Sequence, residues 1–271
     1  MPELPEVETT LRGLAPHLTG QQVGDVIIRN PRLRWPIPAD LPELLRGHTI
    51  RRMWRRAKYL LVEFDHGTLI LHLGMSGSLR ILTGSAPALP HEHFDLLLQN
   101  GTLMRLRDPR RFGAVLWHEG DIAAHPQLAS LGPEPLEKEF TGDYLYAATR
   151  KRKAAIKLLI MDNHMVVGVG NIYANEALFR AGIKPQLAAG KLSRERCTLL
   201  CKTTREVLRA AIKKGGSSLR DYVDSDGKQG YFQQEYFVYG KAGEPCRRCG
   251  TTVKQIRQGQ RASFYCPHCQ R

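Results

Sequence analysis

Several features are missing from this 271-residue chain. No uninterrupted apolar run approaches the roughly 18–20 residues needed to cross a bilayer, which excludes a helical membrane protein. The N-terminus has no basic region followed by an apolar stretch, so no secretory leader is visible and a cytoplasmic protein is the expectation. There are no internal repeats and no low-complexity tract, which sets aside solenoids and fibrous chains. Acidic residues are scarce beside basic ones: 26 Asp and Glu stand against 40 Lys and Arg, a formal charge of +14.

That excess suits a polyanionic partner, because cations that neutralise phosphates release condensed counterions. The basic residues recur in clusters: Arg51, Arg52, Arg55, Arg56 and Lys58; Arg150 to Lys153; Lys213 and Lys214; Arg247 and Arg248. Any single cluster is an ordinary solvated face. Their recurrence, with no amphipathic basic helix standing out, favours nucleic acid over a membrane surface.

The length allows one large domain or two modest ones. Residues 4–19 read as a helix, with Val7, Leu11, Leu14 and Leu18 on one face. A run of short β-forming segments follows, at Val23–Arg29, Tyr59–Phe64, Leu69–Leu73, Ser78–Leu82, Phe94–Leu98, Leu103–Arg107 and Ala114–Trp117. Turn residues such as Asn100-Gly101 separate them, as in a sandwich or barrel. Leu131-Gly132-Pro133-Glu134-Pro135 reads as a boundary linker. Helical patterns follow at about 141–149, 151–162, 171–181 and 193–213, and Gly215-Gly216 ends the last.

Six cysteines fall into two groups. Cys197 and Cys201 lie i,i+4 in a helical stretch and read as buried thiols. The other four form Cys246-x2-Cys249-x16-Cys266-x2-Cys269, a spacing that fits four thiolates around one tetrahedral Zn²⁺. The alternative is two free redox CxxC pairs. The 16 intervening residues suit a β-hairpin turning at Gln258-Gly259, with Lys254, Arg257 and Arg261 on it. Four protein ligands leave no open coordination position, so this metal folds its module and activates no water. The hairpin arginines are either simply solvated or placed to grip phosphate.

The opening Met1-Pro2-Glu3-Leu4-Pro5-Glu6-Val7-Glu8-Thr9-Thr10 has two readings. In one, Pro2 stiffens the start and Glu3, Glu6 and Glu8 complement a helix dipole. In the other, removal of Met1 leaves Pro2 with a free secondary amine, unprotonated in useful fraction near neutrality. Such an amine attacks an electrophilic carbon, and its condensation with an aldehyde gives a charged iminium, with Glu3 and Glu6 alongside for proton transfer. Val166-Val167-Gly168-Val169-Gly170-Asn171-Ile172-Tyr173-Ala174-Asn175-Glu176 reads as a glycine turn before a helix N-capped by Asn171, whose first amides suit phosphate. The basic run Arg55-Arg56-Ala57-Lys58 enters a strand at Tyr59. His72-Leu73-Gly74-Met75-Ser76-Gly77 and Asp108-Pro109-Arg110-Arg111-Phe112-Gly113 are turn segments. Met75 and Phe112 in them read either as core or as residues shaped to replace a base.

Taken in order, these segments resemble the formamidopyrimidine-DNA glycosylase family over essentially the whole chain. The Met1–Thr10 string, Lys58, the two turn segments, the GVGNIYANE run and Gln260-Arg261-Ala262-Ser263-Phe264-Tyr265-Cys266 carry the resemblance. It implies an α+β fold: an N-terminal β-sandwich domain with flanking helices (1–132), a C-terminal helical, helix-two-turn-helix domain (133–236) and a β-hairpin zinc finger (237–271). It implies Pro2 as nucleophile, Glu3 in proton transfer, Glu6 positioning the amine, and Lys58 and Arg261 at the lesion-flanking backbone. Met75, Arg110 and Phe112 fill the void left by an extruded base, with Arg110 facing the orphaned cytosine. His91, Lys157 and Asn171 are further DNA contacts. Gly215–Phe232 resembles the loop that covers the extruded base, although a glycine-rich polar loop is also an ordinary connector.

The expected activity is a bifunctional DNA glycosylase and AP lyase removing oxidised purines, chiefly 8-oxoguanine and formamidopyrimidines, from duplex DNA. The expected cofactor is one structural Zn²⁺. The expected partner is lesion- or AP-site-containing double-stranded DNA, met by a monomer at a bacterial nucleoid and by no membrane. Two alternatives stand beside it. One is an endonuclease VIII-like enzyme for oxidised pyrimidines, opposed by Leu4 and the Arg110/Phe112 pair. The other is a non-catalytic zinc-finger lesion binder, opposed by intact Pro2, Glu3 and Lys58.

Overall fold

A computed structural model describes residues 2–83, 86–216 and 236–271, so most of the expected Gly215–Phe232 covering loop lies outside the described residues. The chain divides into two compact units. The first takes in the described residues up to Ala129 together with Lys214–Gly216; the second runs from Ser130 to Lys213 and resumes at Tyr236. No helix among the described residues is long and apolar enough to cross a membrane.

The first unit opens with α1 (Leu4–Leu18). Of the face expected from the spacing, Val7, Leu14 and Leu18 are fully buried and Leu11 half-buried, and Leu4 is fully buried as well. Pro5 sits in the first turn, where its missing N–H costs nothing. Two four-stranded antiparallel sheets follow. One has the order β1 (Val23–Ile28), β6 (Glu92–Leu98), β7 (Thr102–Arg107), β5 (Ser78–Thr83). The other has the order β2 (Arg52–Arg56), β3 (Tyr59–Phe64), β4 (Gly67–His72), β8 (Ala114–His118). Val26, Phe94, Leu96 and Met104 of one sheet share a single core with Leu60, Val62, Leu69 and Leu71 of the other, and with α1. That is a sandwich with a helix against it.

An α-helix and a strand of this unit are absent from the sequence reading. The short helix α2 (Leu41–Leu45) buries Leu41 and Leu45 but is too brief to show a period. Strand β2 carries three arginines and reads as a charged run, yet it pairs in full register with β3, from Arg52↔Glu63 to Arg56↔Tyr59. It lies at the sheet edge, where charged side chains discourage pairing with another chain.

The second unit holds α3 (Gly142–Thr149), α4 (Ile156–Ile160), α5 (Asn171–Arg180), α6 (Arg194–Lys213) and the hairpin β9 (Lys254–Gln258) with β10 (Arg261–Tyr265). The helix expected over 151–162 is only one turn and a half. Lys151 takes a positive φ of 59°, Ala155 bridges Ala188, and the Ile156 amide donates to Leu187 O, so the segment before α4 is drawn into extended pairing. Cys197 and Cys201 are buried as expected, and burial pushes the Cys201 thiol up to about 12. The hairpin packs on α5: Phe179 shares a core with Val238, Val253, Phe264 and Cys266. Buried Glu176 of α5 accepts the backbone amides of Phe237, Val238 and Tyr239 at 2.9–3.0 Å, clamping the chain where it enters this module.

Candidate functional site

At the head of α1, Glu3 is the N-cap, and it forms a capping box with Glu6. The Glu3 amide donates to Glu6 Oε2 at 2.8 Å. Pro2 is buried, and the Glu3 and Glu6 side chains are 2% and 0% exposed. Both carboxyl groups lie buried beside Pro2, whereas acids that only complement a helix dipole are ordinarily solvated. Glu6 acts on the backbone: its carboxylate accepts the amide of the Pro2–Glu3 peptide. Gly216, at φ +84°, packs against that carboxylate; a Cβ there would lie 3.0 Å from Glu6 Oε1.

Lys58 lies between two strands. Residues 57 and 58 form the turn joining β2 to β3, with Ala57 at φ +55°. Arg55 fixes this turn, donating from Nη1 to Ala57 O at 2.8 Å and from Nε to Glu8 Oε2 at 3.2 Å. One guanidinium, 10% exposed, thereby ties the Lys58 turn to α1, the helix that carries Pro2 and Glu3. Sequence reasoning placed Arg55 in a basic cluster and missed this role.

His72 was also missed. It ends β4, opposite Tyr59 on one side and Ala114 on the other. Its ring lies 4.7 Å from the Tyr59 ring, and its Nδ1 accepts the Gly74 amide at 3.1 Å. Burial first, then the charges of Lys58 and Arg34, lower its pKa to about 4. His72 therefore stays neutral at pH 7 with the proton on Nε2, a hydrogen-bond donor beside Lys58.

The segments 73–77 and 108–113 follow β4 and β7 and meet each other: Gly74 lies against the Phe112 backbone, and the Ser76 hydroxyl donates to Asp108 Oδ1 at 2.8 Å. Phe112 is 44% exposed, so it is not a core residue. The Arg110 guanidinium lies 5.0 Å over the Phe112 ring. Met75 is half-buried and Arg110 exposed. His91, exposed with φ +73°, precedes β6, and its carbonyl accepts the Asp108 amide at 2.9 Å. The resemblance-derived residues Met75, His91, Arg110 and Phe112 thus gather at one end of the sandwich.

In the second unit the N-cap of α5 is Gly170, in extended conformation, and Asn171 is the first helical residue. Asn171 is not the cap because its Oδ1 is committed elsewhere, accepting from Lys157 Nζ at 2.6 Å. Lys157 itself corrects an expectation. It is 0% exposed, and its Nζ also donates to Ala262 O at 2.8 Å and Ser263 Oγ at 2.7 Å. An ammonium has three protons, and three oxygens of this unit receive them. Lys157 is an interior strut between the start of α5 and strand β10, not an outward phosphate contact. Asn175 reinforces the joint, donating to Asn171 O at 2.6 Å and accepting the Phe264 amide at 2.7 Å. Arg261, exposed, begins β10 next to these anchored residues. The hairpin turns at Gly259-Gln260, one residue later than expected, because Gly259 takes φ +58° and Arg261 pairs Gln258.

The four cysteine sulfurs lie within 4.8 Å of one another. Cys246 and Cys269 Sγ are 4.0 Å apart and Cys249 and Cys266 Sγ 3.4 Å. A tetrahedral Zn²⁺ with Zn–S of about 2.3 Å needs sulfurs about 3.8 Å apart, so the set fits. The amides of Arg248 and Cys269 point at Cys246 Sγ and Cys266 Sγ, both at 3.4 Å, as donors that stabilise thiolates. These cysteines form a structural zinc site. His268, between the last two ligands, is exposed and outside the cluster.

Comparison with known proteins accords with this geometry. Residues 1–115 match the formamidopyrimidine-DNA glycosylase N-terminal domain, 131–223 the formamidopyrimidine-DNA glycosylase H2TH domain, and 243–271 the zinc finger found in FPG and IleRS. The chain is 62% identical over 271 residues to the formamidopyrimidine-DNA glycosylase of Thioalkalivibrio sulfidiphilus, covering all of both chains. It is similar to a Lactococcus lactis FPG mutant solved in complex with Fapy-dG-containing DNA, with a TM-score of 0.92, 35% identity and full coverage of both chains. A Lactococcus lactis Fpg complexed with abasic-site DNA gives a TM-score of 0.91 at 35% identity, covering 99% of each chain. With a buried Pro2–Glu3–Glu6 head, a zinc hairpin and full-length relatives at this identity, the chain belongs to the formamidopyrimidine-DNA glycosylase family.

Proposed function

We propose that this protein is a bifunctional DNA glycosylase and AP lyase that excises oxidised purines, 8-oxoguanine and formamidopyrimidines, from duplex DNA, acting as a monomer in the bacterial cytoplasm. The observation that carries the reading is the head of α1, where Pro2, Glu3 and Glu6 are buried together and the Glu3 amide is held by Glu6. Relatives bound to Fapy-dG and abasic-site DNA support the substrate class.

After removal of Met1, the Pro2 nitrogen attacks C1′ of the extruded nucleotide. The C1′–base bond breaks and the base leaves with the bonding pair and with the proton that the Pro2 nitrogen gives up on bonding C1′. Glu3 delivers a proton to the sugar ring oxygen as the ring opens, and the nitrogen lone pair makes the C1′ iminium. That cation acidifies the C2′ proton; its loss expels the 3′ phosphate, and a second elimination expels the 5′ phosphate. Glu6 positions the amine through the Glu3 backbone. Lys58 and the neutral His72 hold backbone phosphate beside the sugar. Met75, Arg110 and Phe112 fill the vacated stack, with His91 against the same strand region. In the second unit, Asn171 offers its NH₂ group to phosphate, Oδ1 being taken by Lys157, and Arg261 grips phosphate from the hairpin. Zn²⁺ folds that hairpin.

Borohydride trapping on a duplex carrying 8-oxoguanine opposite cytosine tests the reading, with wild type beside Pro2→Gly and Glu3→Gln. The expected result is a covalent adduct mapping to residue 2, with strand cleavage lost in Glu3→Gln. Tight lesion binding by protein shown by mass to lack Met1, with no adduct and no cleavage, would overturn it.

A further inference from the structure

We infer that Asp108, acting with Ser76, is a positioning residue: it locks the two void-filling loops into one rigid wedge and so sets how strictly the base opposite the lesion is read. The inference rests on the assignment of Met75, Arg110 and Phe112 above and deepens it.

Asp108 is 0% exposed. Its Oδ1 accepts the Ser76 hydroxyl at 2.8 Å and the Arg110 amide at 3.3 Å, and its Oδ2 accepts the Gly113 amide at 2.8 Å. Ser76 Oγ lies 3.3 Å from that same Arg110 amide. The Asp108 backbone is engaged as well. Its amide donates to His91 O at 2.9 Å and its carbonyl accepts from Arg111 N at 3.2 Å. The carbonyl also accepts from His93 Nε2 at 2.9 Å. One buried side chain therefore spans the loop bearing Met75 and the loop bearing Arg110 and Phe112, while its backbone holds the residue preceding β6.

The loops also touch through their backbones. Gly74 has φ +61°, and a Cβ there would lie 2.3 Å from Phe112 C. A Cβ on Gly113 would lie 2.7 Å from His72 O. Between the two base-replacing residues, Arg111 is held at φ +55°, a left-handed conformation that a side chain tolerates only where surrounding bonds impose it. A buried carboxylate is costly unless its lone pairs are used. Here one hydroxyl and two amides use them, so moving either loop alone unsatisfies the carboxylate. The wedge enters as one body.

Cytosine and adenine present different edges to a guanidinium, and reading that difference needs the group held to about 0.5 Å. Arg110 obtains its placement at the main chain, from Asp108 and Ser76.

The test is the ratio of single-turnover excision of 8-oxoguanine opposite cytosine to that opposite adenine, measured in Ser76→Ala, Asp108→Asn, the double variant and Arg110→Ala. Both substrates meet the same protein, so partial loss of folded enzyme cancels from the ratio. Ser76→Ala is expected to lower the ratio about fivefold, the loss of one net hydrogen bond. Asp108→Asn is expected to lower it at least as far, and the double variant less than the two effects combined, because the two side chains share the Ser76–Asp108 bond. An unchanged ratio in Ser76→Ala and Asp108→Asn, with Arg110→Ala lowering it, would overturn the positioning role and leave the assignment of Arg110 intact. A ratio unmoved even by Arg110→Ala would overturn that assignment instead. Additive effects in the double variant would also sink the shared-bond reasoning.

Discussion

Replacing Lys157 by Met removes an ammonium while keeping nearly the same volume and reach. A lysine that met phosphate at the surface would cost the fold almost nothing to lose. Lys157, however, is 0% exposed and donates to Asn171 Oδ1, Ala262 O and Ser263 Oγ at 2.6–2.8 Å. Hydrogen bonds from a charged donor contribute about 1.5–3 kcal/mol each. Removing the charge also removes its desolvation cost, several kcal/mol for a buried ion. The balance leaves three acceptors without the ammonium that served them in a largely buried joint, a net loss of about 3 kcal/mol. For a unit of this size that corresponds to a fall of about 10 °C in melting temperature. Thermal unfolding followed by circular dichroism checks it, with Lys153→Met as the exposed control, expected within about 0.5 kcal/mol of wild type. The reasoning is refuted if Lys157→Met melts within about 2 °C of wild type. A simultaneous drop of about 0.9 in the salt slope of DNA binding would then identify Lys157 as a phosphate contact after all.

Three further outcomes are expected. His72 has a folded pKa of about 4 against an ordinary 6.5, so the unfolded chain takes up the proton first. The stabilisation is complete above about pH 6.5 and is lost as pH falls towards 4, by at most about 3 kcal/mol. Urea unfolding across that window should show the loss in wild type and a flatter profile in His72→Gln. Arg55→Met frees the Ala57–Lys58 turn from Glu8 of α1; single-turnover cleavage at a preformed abasic site should fall about ten- to a hundredfold, and a rate within twofold of wild type would remove Arg55 from the positioning machinery. With zinc bound, iodoacetamide should label few thiols; chelation should bring the labelled number to four, and Cys197 and Cys201 should stay unmodified until denaturant is added, their thiols being buried and that of Cys201 raised to about 12. Labelling of Cys201 in native, zinc-loaded protein would contradict the packing of α6.

Elements whose burial follows a simple period were legible from the chain alone. The apolar spacing of α1 places it over 4–19 and the helix runs Leu4–Leu18; Tyr59–Phe64 coincides with β3. What escaped has a local signal opposed by a tertiary one. Strand β2 is three-fifths arginine, and only pairing with β3 explains it. Residues 151–155 carry helix formers, yet Arg150 donates to Gly190 O and Leu192 O, and Ala155 bridges Ala188. Contacts more than thirty residues away outweigh propensities of a few tenths of a kcal/mol per residue.

The candidate site divides along the same line. Zinc ligands are legible because four thiolates must come from the chain at hairpin spacing, so the spacing is the mechanism. Cations are not legible in that way, because a basic side chain satisfies a phosphate, a carboxylate or a carbonyl equally well, and the choice is made in three dimensions. Arg105 shows the extreme case. It is 4% exposed, and its guanidinium donates to Asp95, Glu92, Pro87 O and Ala86 O, holding the segment that leads to His91. Lys157, Arg55 and Arg105 all count toward the +14 that suggested a polyanion, yet each is turned inward. Under the proposed function their part is indirect, holding the residues assigned to DNA: Asn171 and the start of β10, the Lys58 turn, and the stretch before β6. A scan that substituted every basic residue would therefore find two kinds of loss. Surface cations such as Arg261 should weaken binding with a reduced salt slope and an unchanged melting temperature. Inward cations should lower the melting temperature first, and their binding defects should follow from misplacement of the neighbours they hold.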